Sequence, residues 1–426
     1  MRLRAEKRIV KTPQDRLQFV EGMRGFAALF VVLSHFRSMV APGSLNSKAN
    51  AHLQPWFKAL LAPFDHSHLA VAAFIVLSGF CLQVSLFNRR DGRISDLKRF
   101  FVRRAWRILP PYYACLGLSI FVAVFLTSKQ HGMPFDQYVP VTWGNVLSHV
   151  FLVHNFSPDS MYKINGVLWS IALEVQLYVA FPLLVAALFR FGRVGLLALT
   201  SGLALACLAL FPTAAKLYPW FMPLFALGMV AAHFSYRPNL RVSVVPRLAL
   251  FVSLFGAGLL IWSLQTRQMI AVGDVAVGLF VAGLIYVGSV APGNVLTRFF
   301  ASRWPVAVGG FSYSLYLMHH PILQGLYVYR PAFTHGPFAA YAYLLVIGLP
   351  VILGACYLFS RAFEQPFILS RKSQEPVLRD AIGAPVALPL KASDSIVGGY
   401  LPPRRRFRTA VVTMAAQESW AHKPVL

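Results

Sequence analysis

Arg24 and His35 stand eleven positions apart inside an otherwise apolar run, residues 19–36, FVEGMRGFAALFVVLSHF. On a helix that spacing is almost three turns, so the two lie near one face and about 16 Å apart along the axis. An arginine inside a membrane keeps its charge and needs an anion, whereas a neutral imidazole can take a proton. The chemistry on offer is an anion anchor and a base. The plainer alternative is that Arg24 reaches back to headgroups and His35 bonds a neighbouring helix.

Depth sorts the remaining polar residues into two layers. His35, Ser78, Glu174 and His319 fall roughly 7 to 14 Å below the outer end of their apolar runs, at about 1.5 Å per residue. Arg24, Arg104 and Arg107 fall on the other side. Arg104 and Arg107 sit one turn apart at the membrane entrance, a spacing that can clamp phosphate bidentately. A base beside a hydroxyl, over a floor of arginines, suits transfer from a phosphorylated donor. His and Glu inside a membrane also build proton relays, so a transporter remains open on this pattern alone. Glu21 reads as a partner for Arg24, while His233 and Asp274 read as ordinary helix-end residues.

These residues need a membrane scaffold to position them. Of 426 residues 57% are hydrophobic and 13% charged, more apolar sequence than a soluble core uses. The apolar runs are long and lack dyad alternation, so the fold class is all-α, a polytopic bundle rather than a β-barrel. Ten runs are long enough to span: 19–40, 69–86, 109–126, 167–189, 194–211, 217–234, 248–264, 270–290, 306–327 and 339–359. A retained first span fits residues 19–40 better than a cleaved leader.

The net charge of +25, from 40 Lys and Arg against 15 Asp and Glu, is confined to segments between those runs, which speaks for topology and against nucleic acid. With the N-terminus cytoplasmic, the clusters at 1–18, 89–107, 190–193, 237–247 and 298–303 all fall inside. The outer connections hold only scattered charges such as Lys129, Lys163 and Arg330. The domain division is therefore a basic cytoplasmic N-terminus (1–18), a transmembrane domain (19–372) and a mobile cytoplasmic tail (373–426). Residues 143–154 are apolar but too short to span and read as an outer interfacial or re-entrant piece. The stretch 89–107 reads as a helix on the inner surface, tilted or restarted at Pro110 and Pro111. Cys81, Cys115, Cys207 and Cys356 show no metal or disulfide spacing, so neither a metal site nor a disulfide is expected. Gly256, Gly258, Gly278 and Gly283 are expected at close helix contacts.

From residue 19 to about 366 the sequence resembles the acyltransferase-3 family of membrane acyltransferases. The motifs that carry the resemblance run in the family's order: Arg24 and His35; FIVLSGF with Ser78; RAWR with Arg104 and Arg107; LWSIALEVQLY with Trp169, Ser170, Glu174 and Tyr178; FSYSLYLMHHP with Tyr313, Tyr316 and His319; and FEQP with Glu364. The resemblance implies an inner-membrane, multi-pass enzyme. It would move an acyl group, commonly acetyl, from cytoplasmic acyl-CoA to a hydroxyl of an extracytoplasmic or lipid-linked saccharide. Acyl-CoA would be a donor substrate, with no resident cofactor. His35 is then the expected base, with Glu174 orienting or charge-stabilising it; Arg24, Arg104 and Arg107 hold the donor. Ser78, Trp169, Ser170, Tyr313, Tyr316 and His319 line the substrate path. The external hydrolase-like domain often fused in this family is not recognisable, which favours direct delivery to the acceptor. Glu364 is expected to fix the last helix end.

Overall fold

The computed structural model describes residues 18–87, 94, 96–236, 252, 253, 255–257, 259, 270–290 and 293–369. The N-terminal basic cluster, Arg89, Arg90, Arg93, Gly258 and the tail lie outside them. Among the described residues every regular element is helical, with no strand.

The chain begins with α1, Gln18–Val40, and a short helix α2, Pro55–Leu61, leads into α3, His68–Phe87. Next come α4, Leu97–Phe125, the short α5, Trp143–Val150, and α6, Leu168–Leu210. After α7, Phe221–Tyr236, and α8, Ile270–Val290, two short helices follow, α9, Val295–Phe300, and α10, Arg303–Gly309. The last long pieces are α11, Ser312–Val328, and α12, Pro337–Phe367, which contains two wide turns at Leu344–Gly348 and Ser360–Glu364.

Six described helices are long and apolar enough to cross a membrane: Gln18–Val40, Pro55–Phe87, Leu97–Lys129, Leu168–Leu210, Ile270–Ser289 and Pro337–Phe367. At 43 residues α6 would be about 65 Å long, twice a hydrocarbon core of about 30 Å. It is broken at Gly192, whose φ of 72° is open to glycine, and the break falls between Arg190 and Arg193. The two runs expected at 167–189 and 194–211 are thus the two arms of α6. Residues 306–327 are divided between α10 and α11, and α7 is a shorter apolar helix of 16 residues. Large side chains such as Leu183 (74% exposed) and Val346 (69%) cover the outside of the bundle, a surface suited to lipid and not to water.

Close helix contacts hold the site's scaffold. A Cβ on Gly79 of α3 would sit 2.1 Å from the Phe225 carbonyl oxygen of α7, and one on Gly228 of α7 would sit 2.0 Å from that of Val76. The same backbone-on-backbone approach joins Gly25 of α1 to Gly309 of α10. Small residues permit this geometry, in which packing rather than water expulsion drives association. Gly256 and Gly278 also meet neighbouring helices closely, as the sequence suggested.

Of the tilt or restart expected at Pro110 and Pro111, the restart does not occur: α4 is a single helix from Leu97 that runs through both prolines. Its first turn is capped by Asp96, which accepts from the Arg99 amide at 2.8 Å. Each proline costs one internal hydrogen bond, and a packed membrane helix tolerates that loss. Pro321 of α11 shows how: its missing N–H frees the Leu317 carbonyl, which instead accepts from Cys115 Sγ at 3.1 Å and Asn165 Nδ2 at 3.4 Å. Asn165 thereby ties the outer loop to α4 and α11.

The outer piece at 143–154 is the helix α5 followed by a single tight turn at His154–Phe156. Trp143 is 82% exposed and Phe151 71% exposed, so its apolar face is turned away from the bundle. Asn155 and Gln176 pin it to α6 through a reciprocal amide pair at 3.0 and 2.8 Å. Beneath it the rings of His149 and His154 lie parallel with centroids 3.7 Å apart. Burial pushes His149 down from 6.5 to about 4; burial and then the neighbouring His149 push His154 down to about 3. Between about pH 6.5 and 4 the opened loop therefore takes up protons that the packed loop does not, so packing weakens as pH falls through that window. The expected loss at pH 4 is on the order of 3 kcal/mol for His149 alone. Amide protection factors across residues 143–156, corrected for the intrinsic slowing of exchange at low pH, should fall steeply from pH 7 to 4.5 and stay flatter in His154→Phe, which keeps the stacked ring without the charge. Equal protection factors at both pH values would refute the coupling.

Candidate active site

Two cavities meet inside the bundle, with Val71 and Tyr316 on the wall of both. The first is lined by Arg24 of α1, Ser78 and Cys81 of α3, Arg104 and Arg107 of α4, Ser170, Glu174 and Tyr178 of α6, and Tyr313 and Tyr316 of α11. Eight of the eleven residues singled out from the sequence are among them. Arg104 lies over the rings of Phe100 and Tyr178, 5.8 and 5.9 Å from their centroids. Among the described residues no carboxylate comes within ion-pair distance of Arg24, Arg104 or Arg107; the ion pairs are Arg37 with Asp65 and His68 with Asp274. The expected pairing of Glu21 with Arg24 is therefore not made. Three guanidiniums share a cavity whose one carboxylate accepts from Ser78 and Tyr178, a concentration of positive charge chemically suited to an anion.

The sequence expects Glu174 to orient or charge-stabilise His35; the hydrogen bonds its Oε1 makes are from Ser78 Oγ at 2.9 Å and from the Tyr178 hydroxyl, one turn along α6. Ser78 and Tyr178 are themselves 2.9 Å apart, closing a triangle on the arginine side. Depth counting put Glu174 and Ser78 with the histidines because it locates Cα atoms, whereas an arginine side chain reaches several ångströms further along the membrane normal. Arg24 and Arg104 thus come up to the level of Glu174.

The second cavity is lined by His35 and Ser38 of α1, Ser67 and His68 at the start of α3, Trp169 of α6, and Gln137, Tyr138 and Tyr162 of the outer loop. His35 Nδ1 lies 2.9 Å from the Val31 carbonyl and 3.2 Å from His319 Nε2. His319 Nδ1 in turn lies 2.9 Å from the Leu315 carbonyl. A carbonyl only accepts, so His319 carries its proton on Nδ1 and its Nε2 is an acceptor. His35 then donates from Nδ1, and its Nε2 carries the lone pair. The imidazole is thus held as a base by His319 and its own helix, without a carboxylate.

Sequence reasoning passed over His320 and Tyr138. His320 Nε2 is 3.0 Å from the Tyr138 hydroxyl, which also accepts from Gln137 Nε2 at 2.6 Å, and the His320 ring meets His35 edge-on with centroids 5.3 Å apart. Burial raises the Tyr138 phenol above its ordinary value, so it stays protonated and donates to His320. The doubled His in LMHHP was the available signal, since consecutive helix residues project about 100° apart and both faces of α11 here are polar.

Tyr316 divides the two cavities. Its hydroxyl is 2.6 Å from Ser170 Oγ, and its ring meets Phe74 edge-on. Tyr313 donates to the Ile108 carbonyl at 3.0 Å, joining α11 to α4. Glu364 stands apart from the chemistry: its Oε2 accepts from Ser314 at 2.5 Å and Ser360 at 3.0 Å, fastening α12 to α11.

A family model described as an acyltransferase domain matches residues 17–361. The chain belongs to the acyltransferase-3 family. Among curated proteins, O-acetyltransferase OatA of Staphylococcus aureus is 24% identical over 375 residues, covering 82% of this chain and 57% of that protein. A putative O-acetyltransferase of the same organism is 22% identical, covering 82% of this chain and 56% of its own length. The chain thus spans little more than half the length of these relatives. No solved structure matches. Family membership and the apolar helices together make this a multi-pass membrane protein with an acyltransferase domain.

Proposed function

We propose that the protein is an O-acyltransferase that moves an acyl group, acetyl in the first instance, from cytoplasmic acyl-CoA to a hydroxyl of an extracytoplasmic or lipid-linked saccharide. The observation that carries the reading is the pair of cavities on either side of Tyr316, one holding three arginines without a carboxylate ion-pair partner among the described residues, the other a histidine with its lone pair on Nε2. The O-acetyltransferase names of the relatives agree with it. The arginine cavity takes the phosphates of the donor from the cytoplasmic face of the inner membrane, with both termini on that side, as the distribution of basic residues favours.

In this reading His35 Nε2 removes the acceptor's hydroxyl proton as the oxygen attacks the thioester carbonyl carbon. The tetrahedral adduct collapses, the carbon–sulfur bond breaks, and the thiolate leaves and takes a proton to become free CoA thiol. The products are the ester and the thiol, with the base restored. Ser78 and Tyr178, fixed by Glu174, supply hydroxyls on the donor side, and the Tyr316–Ser170 contact must part for thioester and hydroxyl to meet.

The test is acceptor-dependent release of thiol from acetyl-CoA by the full chain reconstituted in liposomes, with radiolabelled acetyl followed into the acceptor. Acceptor movement across the bilayer at full rate without any acyl donor would instead establish a transporter.

A further inference from the structure

The second cavity contains a histidine that the mechanism above does not use. His68, the first residue of α3, places Nδ1 2.9 Å from Asp274 Oδ1 of α8. The other carboxylate oxygen accepts from Trp220 Nε1 at 2.8 Å, and Asp274 is fully buried. With both its oxygens acting as acceptors, Asp274 accepts from the Nδ1–H of His68, and the neutral imidazole then carries its lone pair on Nε2. That nitrogen is buried and has no hydrogen-bond partner among the described residues. A buried polar atom left unmatched costs about 1–3 kcal/mol and calls for an explanation.

The ring is also held by its neighbours. Trp169 and Phe221 stack on it with centroids 5.4 and 5.3 Å away and planes 12° and 22° from parallel, and Tyr218 approaches to 4.4 Å. These contacts and the Asp274 bond together fix the position and plane of the imidazole. His68 lines the same cavity as His35, together with Trp169 and the hydroxyl residues Ser38, Ser67 and Tyr162.

We infer that His68, aimed by Asp274, is a second hydroxyl-accepting position in the outer cavity, so that the cavity takes a polyhydroxylated ring and not a simple alcohol. This rests on reading that cavity as the acceptor side. One hydroxyl donates to His35 Nε2 and is the reacting one; another donates to His68 Nε2 and fixes the ring's orientation. The indole of Trp169 offers the apolar contact that the C–H face of a pyranose needs. His68 is a specificity residue here, and Asp274 a positioning residue that acts through it. Replacing Asp274 by Asn turns the logic over: with its oxygen kept on Trp220, its amide donates to His68 Nδ1 and moves the imidazole proton to Nε2, making a donor of the acceptor.

The experiment uses the full chain in lipid nanodiscs free of sugar detergent, titrated with the methyl pyranosides of glucose, galactose and N-acetylglucosamine and with isopropanol as a one-hydroxyl control. Binding is read by saturation-transfer NMR, and acetyl-CoA affinity is measured in parallel. At least one pyranoside should bind saturably. His68→Ala and Asp274→Asn should each weaken it by about tenfold or more. His68→Gln, which keeps an acceptor, should recover part of the loss, and acetyl-CoA affinity should stay within about threefold in all three, which also reports intact folding. In turnover with the bound pyranoside, His68→Ala should raise acceptor KM with little change in kcat. No pyranoside binding to the unaltered protein, or equal binding by His68→Ala, overturns the inference. Thiol release whose acceptor KM ignores His68→Ala overturns the subsite and leaves the transfer reading; His68-dependent binding without any thiol release overturns the transfer reading and leaves the subsite.

Discussion

His35→Ala is expected to lower single-turnover acyl transfer by on the order of 10² to 10⁴ while leaving acetyl-CoA affinity within about threefold, because it deletes the proton acceptor and touches nothing in the arginine cavity. The contrast with His319 sharpens the test. His319 holds His35 through one hydrogen bond at 3.2 Å, and the Val31 carbonyl at 2.9 Å holds the same nitrogen independently. His319→Gln should therefore cost about tenfold and not the full effect. Small-molecule imidazole, entering the space that His35→Ala opens, should restore part of the rate, which no structural defect would predict. The measurement is the rate of labelled ester formation at saturating donor, on variants whose thermal unfolding matches the unaltered protein. Loss of donor binding with an intact rate at saturation would exchange the roles of base and anchor.

Much of this site can be read from the sequence, because a membrane makes ionisable residues conspicuous. Arg24, Arg104 and Arg107 stand out as charges in or at apolar runs, and they do share one cavity. His35 and His319 stand out in the same way and are bonded. What periodicity does not carry is the direction in which a side chain leaves its helix and how far it reaches. Glu174 shows this: its Cα has the depth of the histidines, but its carboxylate turns to Ser78 and Tyr178.

His68 escapes for a different reason. It lies in a short polar sequence, DHSH, just before the apolar run counted from 69, where a histidine looks like loop; only the fold brings Asp274, 206 residues later, against it. Likewise Pro110 and Pro111 suggest a tilt or a restart on a rule for isolated helices, whereas the packed helix α4 continues through them. The break that does occur in α6 falls at Gly192, between two arginines that the charge pattern had already placed between spans.

The second large effect belongs to the arginines. Arg24, Arg104 and Arg107 come from two helices, α1 and α4, and meet in the cavity without an ion-pair partner among the described residues. Their mutual repulsion is a standing cost that a bound anion relieves, so the site suits a polyphosphate. Removing one charge-assisted contact costs about 1.5–3 kcal/mol, so Arg104→Ala or Arg107→Ala should weaken acetyl-CoA binding by roughly 10- to 100-fold. The transfer rate at saturating donor should stay near that of the unaltered protein, the reverse of His35→Ala. Lysine at either position should recover only part of the affinity, since a point charge lacks the planar fork. Comparing CoA with dephospho-CoA assigns the contacts: the arginine that meets the 3′-phosphate is the one whose loss abolishes the preference between them. The binding should also weaken with salt in the unaltered protein and less so in each alanine variant. Acetyl-CoA affinity indifferent to all three arginines, with turnover still intact, would mean that the donor enters elsewhere and that the cavity on the α1–α4 side serves another anion.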